Sequence, residues 1–181
     1  MTANFTQGPL VWMDLEFTDL DVRKGKIVEI STIITDANLK ITAIGPHLVI
    51  HEPDSVLDGM VAWNKEHFKA SGLFQEIQKS KTTLQEACDK TLEFIKANCP
   101  VKSGILAGSS VYVDREFLGE YMPLIYDYLH YRIVDTNTLK ELMHRWYPAM
   151  PDYPKNEPHR ANKDILESID ELKYYKTKIF K

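Results

Sequence analysis

The first hydrophobic stretch of the chain is LVWMDLEF, at residues 10–17. Successive side chains of an extended strand point to opposite faces, so this stretch has two faces of different character. One face is wholly apolar and comprises Val11, Met13, Leu15 and Phe17. The other comprises Leu10, Trp12, Asp14 and Glu16. The pattern predicts a buried strand whose second face becomes acidic where the strand leaves the core.

The rest of the chain alternates between segments with the two-residue hydrophobic period of strands and segments with the 3.6-residue period of helices. Residues 26–36 and 41–50 are rich in Ile, Val and Thr and predict a hairpin through the turn ANLK. Two more strands are predicted at residues 104–110 and 131–135. Helical spacing covers patches of 54–80, then 82–98, 113–129 with Pro123 opening a second segment, 137–147 and 159–180. Thr83 and Glu86 form a capping-box signature, and Ser71 and Thr136 are further predicted caps.

This order of elements predicts an α/β fold with a mixed sheet. The length of 181 residues and the hydrophobic content of 44% suit one compact domain. No linker or internal repeat divides the chain, so we expect one domain over residues 10–180 behind a tail at 1–9. Ligands of such sheets bind at the carboxyl ends of the central strands, where Asp14 and Glu16 fall.

Composition narrows the class of partners. No stretch approaches the ~18 consecutive apolar residues of a membrane span. A net charge of −4 argues against a protein that coats long nucleic acid, but not against a small nucleic-acid substrate held partly by metal ions.

The cysteines and the start of the chain bear on location. Cys88 and Cys99 would lie roughly 16 Å apart along one helix, beyond disulfide reach, and we interpret them as core residues in a reducing compartment. The first ten residues show neither a secretory signal nor a transit peptide, so we expect a cytoplasmic protein. A mitochondrial location is the alternative if a presequence precedes this sequence.

The acids carry the candidate chemistry. Asp14 and Glu16 would point the same way, about 7 Å apart along the strand, and would raise each other's pKa unless a cation lies between them. A D-x-E pair alone is more often a strand end that reaches solvent. Asp114, after a buried strand, could be a helix-dipole acid. His159 and Asp164, at the start of the last helix, could be a capping histidine and a surface acid.

Together, these residues favour a metal site. Four carboxylates around one cleft suit a pair of Mg²⁺ or Mn²⁺ ions roughly 4 Å apart, the arrangement used for in-line phosphoryl displacement. They do not suit zinc, which prefers histidine and cysteine ligands. The acids therefore favour metal-assisted phosphoryl displacement as the chemistry.

The motifs DLE, AGSSVYVD, HYRIVD, KELMHRWYP and HRANKDI, in this order, closely resemble those of the oligoribonuclease family, which belongs to the DEDDh 3′→5′ exonucleases. The resemblance runs from about residue 10 to residue 180 and implies a ribonuclease H-like domain, with a mixed five-stranded sheet flanked by helices. It implies that Asp14, Glu16, Asp114 and Asp164 bind two divalent cations, Mg²⁺ or Mn²⁺, and that His159 is the general base. It also implies a homodimer that cleaves short single-stranded RNA, dinucleotides above all, to 5′-mononucleotides. Neither a membrane nor duplex DNA is expected as a partner.

The same resemblance implies substrate-binding residues. Leu20 matches a leucine that wedges between two bases, and Trp63 matches an aromatic residue beside the 3′ base, although core packing is the alternative for a lone tryptophan. Arg132 suits a 5′-phosphate through its bidentate fork. Tyr131 matches a residue supplied across the dimer interface. The other candidates for the 5′-phosphate cap are Ser110, His130, Asn137 and Thr138.

Several positions depart from the family pattern, and they are Phe17, Asp19, Phe68, Ser109 and Asn137. Asp19 replaces the usual glycine and would weaken substrate binding if it lies beside the phosphodiester. Asn137 replaces a serine of the cap and can still donate a hydrogen bond.

Three other functions remain as alternatives. The first is a related exonuclease that trims longer RNA or single-stranded DNA, against which the HYR segment argues because it would block a long 5′ extension. The second is a catalytically silent RNA-binding module, whose usual mark is the loss of one of the five catalytic residues. The third, an acidic metal-binding domain without nucleic acid, leaves Leu20, Trp63 and Arg132 unexplained as a set.

Overall fold

The computed structural model describes residues 8–155 and 160–180. Its centre is one five-stranded sheet with the order β3-β2-β1-β4-β5. The strands are β1 Leu10–Phe17, β2 Ile27–Thr35, β3 Ile41–Val49, β4 Ile105–Gly108 and β5 Ile133–Asp135. The central strand β1 is antiparallel to β2 and parallel to β4, which confirms the predicted mixed sheet.

The helices of the described ranges follow the predicted order. They are α1 Asp54–Asp58, α2 Ala62–Ser71, α3 Leu73–Lys79, α4 Leu84–Asn98, α5 Tyr112–Tyr121, α6 Pro123–Tyr128, α7 Thr136–Trp146 and α8 Ala161–Lys178. Pro123 opens α6, where its fixed φ and missing N–H are tolerated. Within the described part of the chain, none of these helices has the length and apolar character needed to span a bilayer.

The two faces of β1 are buried in different clusters. The apolar face packs in the larger core with residues of α4, α5 and α6, including Ala87, Phe117 and Ile125. Trp12, on the opposite face, packs with Ile165 and Ile169 of α8. The alternation along β1 therefore places α8 over the face that becomes acidic. Cys88 and Cys99 are buried free cysteines, as expected.

Two of the three predicted helix caps were wrong. The capping box of Thr83 and Glu86 is present at the start of α4. Ser71 instead ends α2, because Gly72, with φ 83°, is both the C-cap of α2 and the N-cap of α3. Thr136 is the first residue of α7, and its hydroxyl donates to the Gly108 carbonyl. Asp135 is the cap, since its carboxylate accepts the Asn137 N–H at 2.9 Å.

Candidate active site

Three carboxylates meet at the carboxyl end of β1. Asp14 and Glu16 project from the same face of β1, and Asp164 lies in the first turn of α8 above them. One carboxylate oxygen from each residue lies within 4.8 Å of the others. The packing of Ile165 against Trp12 holds this turn of α8 on the acidic end of the strand.

The fourth acid, Asp114, lies on α5 and contacts the edge of β1 where the pairing with β4 has ended. β1 pairs with β4 only as far as Trp12, so its later N–H groups on that side need other acceptors. Asp114 lies buried in the first turn of α5, and its Oδ1 accepts the Leu15 N–H at 2.8 Å. The chain enters α5 through Ser110, which has φ 54°. Asp114 is thereby fixed next to both Asp14 and Glu16.

Burial, together with neighbouring negative charges, disfavours the ionised form of all four acids. Burial, followed by the charges of Asp114 and Glu16, raises the pKa of Asp14 well above its ordinary value. Burial also raises the pKa of Glu16 and that of Asp114 to about 8 each. The pKa of Asp164 rises to about 6, again mainly through burial. A buried all-oxygen cluster, whose ionised form is this strongly disfavoured without a counter-charge, fits a hard divalent cation.

The acids lie in a cleft of about 500 Å³. Leu20 and Trp63 line it and are 68% and 55% exposed, so the alternative of core packing for Trp63 is excluded. The Trp63 ring stacks on His67 with 3.7 Å between centroids. The amide of Asn64 donates to the Phe17 carbonyl at 2.8 Å and ties α2 to the end of β1. Exposed apolar surface beside carboxylates is a suitable environment for a nucleobase next to a metal-bound phosphate.

A second cavity of about 320 Å³ adjoins the cleft at Ser110. It is also lined by Asn137 and Thr138. The Asn137 amide donates to the Ser110 hydroxyl at 3.0 Å. Three of the residues expected near a 5′-phosphate therefore lie together, beside the acids.

The HYR segment, residues 130–132, lies apart from Ser110, Asn137 and Thr138. The Arg132 Nε donates to the Tyr131 hydroxyl at 3.2 Å, and the backbone N–H of Arg132 donates to His130. Tyr131 is 70% exposed, whereas His130 is buried. Among the described residues, neither cavity is lined by these three side chains. His159, the expected general base, lies outside the described residues.

Most departures from the family pattern have structural explanations. Phe17 stacks on Phe117 with centroids 3.9 Å apart, and Phe68 is buried in the core under α2 and α3. The Asp19 Oδ1 accepts the Asp21 N–H at 2.8 Å, so this carboxylate closes the turn after β1. Ser109 lines the cleft.

Sequence reasoning missed two buried or half-buried acids, Glu29 and Asp135. Glu29 lies on β2 directly opposite Glu16 and is fully buried. The available signal was a single acid within an otherwise apolar strand, the same signal that marked Asp14. Asp135 accepts N–H groups from both Ser110 and Asn137 at 2.9 Å, and thereby links the turn after β4 to the start of α7.

Comparison with known proteins gives consistent matches. The RNase_T family model, described as an exonuclease, matches residues 11–172. The mitochondrial oligoribonuclease of Bos taurus is 47% identical over 174 residues, which cover 95% of this chain and 73% of that protein. An oligoribonuclease of Shewanella sp. (strain W3-18-1) is 43% identical over 182 residues, covering 100% of this chain and 99% of the relative.

Solved structures of exonuclease I share the fold. The enzyme from Methylocaldum szegediense superposes with a TM-score of 0.71 at 16% identity and covers 95% of this chain. Exonuclease I of E. coli, in complex with the oligonucleotide 5cy-dT13, gives a TM-score of 0.71 at 14% identity. This chain spans 41% of the length of each of those chains.

Proposed function

Because the chain belongs to the RNase_T exonuclease family and, within it, to the oligoribonucleases, we propose that it is a 3′→5′ exoribonuclease of short RNA. Its fold is the ribonuclease H-like fold that it shares with exonuclease I. The substrates are short single-stranded RNAs, dinucleotides above all, and the products are 5′-mononucleotides. We propose that the exonuclease domain covers residues 10–180; the expected tail at 1–9 lies largely outside the described residues.

One observation carries this proposal. Carboxylates from β1, α5 and α8 converge on the floor of a cleft whose walls present Leu20 and Trp63. This combination places an apolar surface for bases beside an acidic site for cations. An acidic metal-binding domain without nucleic acid does not require the exposed Leu20 and Trp63.

The acids would hold two Mg²⁺ or Mn²⁺ ions. Asp14, Glu16 and Asp164 are grouped closely enough for one ion, and Asp114, whose charge acts on Asp14, would hold the second together with it. When bound, the ions would supply positive charge that activates a water for attack and balances the charge developing on the phosphate oxygens. His159 would accept the proton of that water, because the ordinary pKa of histidine lies near neutrality.

The remaining site residues would hold the substrate. Leu20 would separate two bases and Trp63 would support the 3′ base, since both side chains are exposed in the cleft. The candidates for the 5′-phosphate cap are Ser110, His130, Arg132, Asn137 and Thr138. We infer a homodimer in which the exposed Tyr131 reaches the cleft of the partner, and neither a membrane nor duplex DNA is a partner.

A direct assay tests this function. The purified protein is incubated with a 5′-labelled dinucleotide, a short RNA oligomer and a long single strand, each with Mg²⁺, Mn²⁺ or a chelator. We expect metal-dependent cleavage that is fastest for the dinucleotide, and loss of cleavage in Asp164→Asn. Equal rates on the long strand would favour the alternative exonuclease, and binding without cleavage would favour a silent RNA-binding module.

The location of the protein stays a prediction. Its relatives include a mitochondrial protein and a bacterial one. We propose a cytoplasmic location, with the mitochondrion as the alternative, and fractionation of the source cells with an antibody to the protein distinguishes them.

A further inference from the structure

Glu29 is a fully buried carboxylate just behind the metal-binding acids. The Arg160 Nε donates to its Oε1 at 3.0 Å, and the Ala161 N–H donates to its Oε2 at 2.8 Å. His47 Nε2 lies 2.7 Å from the same Oε1. Both oxygens of this carboxylate therefore accept hydrogen bonds, and two of its partners are the residues at which α8 begins.

Arg160 connects Glu29 to a metal-binding acid. The Arg160 backbone N–H donates to Asp164 Oδ2 at 2.8 Å. The Arg160 guanidinium also donates to both oxygens of Glu76 at 2.9 and 2.7 Å, so its fork is held from two sides. Since the guanidinium and the N–H belong to one residue, fixing the side chain fixes the donor that orients Asp164.

Stability alone does not account for an acid at this position. All nine residues of β2 are buried, and Glu29 stands opposite Glu16, whose pKa its charge raises. Burial alone would raise the pKa of Glu29, but the bonds from His47 and Ala161 and the charge of Arg160 lower it, so it is ionised. Buried ion pairs can often be replaced by apolar residues at no cost in stability. A role in positioning explains why the charge is here.

We propose that Glu29 is a positioning residue, which sets the Asp164 carboxylate for metal binding by fixing Arg160 and the first N–H of α8. The inference rests on the proposed function in one respect, namely that Asp164 binds a divalent cation. Glu29 does not line the cleft, so its effect passes through Arg160 and not through contact with RNA.

Calorimetric titration of the full chain with Mn²⁺, without RNA, tests this role. Glu29→Gln keeps the shape of the side chain but removes its charge and one acceptor. We expect Mn²⁺ to bind about 10- to 100-fold more weakly, the usual effect of losing a partner that orients a metal ligand. An affinity within about twofold of the wild type would overturn the proposal.

Glu86→Ala is the control for general destabilisation. The Glu86 carboxylate accepts the Thr83 N–H at 2.8 Å in the capping box that begins α4, and Glu86 does not line the cleft. Its loss should lower the melting temperature and leave Mn²⁺ affinity unchanged. If Glu86→Ala weakens Mn²⁺ binding as much as Glu29→Gln, the effect is general destabilisation and the proposal is wrong.

Arg160→Lys supplies a second test should Glu29→Gln fail to fold. Lysine keeps the positive charge, but its ammonium group cannot donate to Glu29 and Glu76 in the planar geometry of a guanidinium. We expect weaker Mn²⁺ binding and a lower kcat, with the KM for a dinucleotide within about twofold of the wild type, since neither Arg160 nor Glu29 lines the cleft. Unchanged Mn²⁺ affinity would contradict the proposal. A wild type that binds Mn²⁺ but cleaves no RNA would instead contradict the proposed function.

Discussion

At the scale of single residues, the acids of the cleft act against the stability of the protein. Burial and mutual repulsion raise the pKa of Asp14, and the ionised form is therefore disfavoured in the folded state. Active sites commonly retain such unfavourable groups because the function requires them. The conflict can be measured, since removing one charge should act oppositely on stability and on turnover.

Asp14→Asn should stabilise the metal-free protein and inactivate it. In chelator at pH 8, we expect the melting temperature to rise by a few degrees, since about 1 kcal/mol corresponds to ~2–4 °C for a chain of this size. Turnover should fall by about 10³ or more, because a lost metal ligand removes several kcal/mol and each 1.36 kcal/mol is tenfold. Scanning fluorimetry and single-turnover assays measure the two effects.

The control for this variant is Asp170→Asn. Asp170 is an exposed acid of α8 paired with Lys173. Loss of its charge should change neither the melting temperature nor the turnover. A lower melting temperature for metal-free Asp14→Asn would show that the Asp14 carboxylate stabilises the folded protein, and would contradict the expected repulsion among the acids.

Trp63→Ala should affect binding without affecting stability. Trp63 is 55% exposed and already stacks on His67, so little core packing is lost. Stacking on a base is worth about 1–3 kcal/mol, so we expect the KM for a dinucleotide to rise about tenfold at an unchanged melting temperature. Trp146→Ala, an exposed tryptophan of α7, is the control and should leave KM unchanged. Equal KM values for the two variants would remove Trp63 from the substrate site.

At the scale of elements, the hydrophobic period located the five described strands and the helices α4 to α8 to within a few residues, whereas residues 54–80 were predicted only as helical in patches and contain α1, α2 and α3. The helix starts were less predictable, since threonine and aspartate are both good caps and Asp135 and Thr136 are adjacent. Only the pairing of β5 with β4 brings the Ser110 N–H to Asp135 and so selects the acid as the cap. Glu29 was missed for a related reason, because its partners on α8 are more than a hundred residues away.

The site itself was predictable in its acids but not in its assembly. Asp14 and Glu16 are marked by the end of an apolar strand, whereas Asp114 and Asp164 had plausible roles as ordinary helix acids. Their convergence depends on the order of the strands and on α8 crossing the acidic face of β1. The placement of Tyr131 and Arg132 outside the cleft depends on tertiary structure that no local pattern encodes.

Asp135 gives a prediction at this scale. Asp135→Ala removes the acceptor of two N–H groups and should cost about 1–2 kcal/mol, or several degrees in melting temperature. Asp135→Asn keeps an oxygen acceptor and should lose much less. The pair of variants separates capping from charge, and equal losses in thermal denaturation would mean that the Asp135 charge, not its hydrogen bonds, matters for the junction of β4, β5 and α7.

At the scale of the whole molecule, the acids couple stability to pH and to metal. The folded protein holds protons on Glu16 and Asp114 up to a pKa of about 8, and on Asp164 up to about 6. The unfolded chain releases the same protons near pH 4. Between these limits the folded state binds more protons, so its stability must fall as the pH rises. Cation binding has the opposite dependence, because it requires the ionised carboxylates.

The metal-free protein should therefore melt several degrees lower at pH 8 than at pH 5.5, and excess Mn²⁺ should remove or reverse this difference. Stability from these groups is fully present below about pH 4 and is lost as the pH passes through about 6 and then about 8. Thermal denaturation at the two pH values, in chelator and in Mn²⁺, measures the effect. Glu16→Gln removes one titrating group and should show a smaller fall in chelator. A metal-free protein that is as stable at pH 8 as at pH 5.5 would mean that the four acids are already balanced without a cation, and the case for a metal site built on their repulsion would fail.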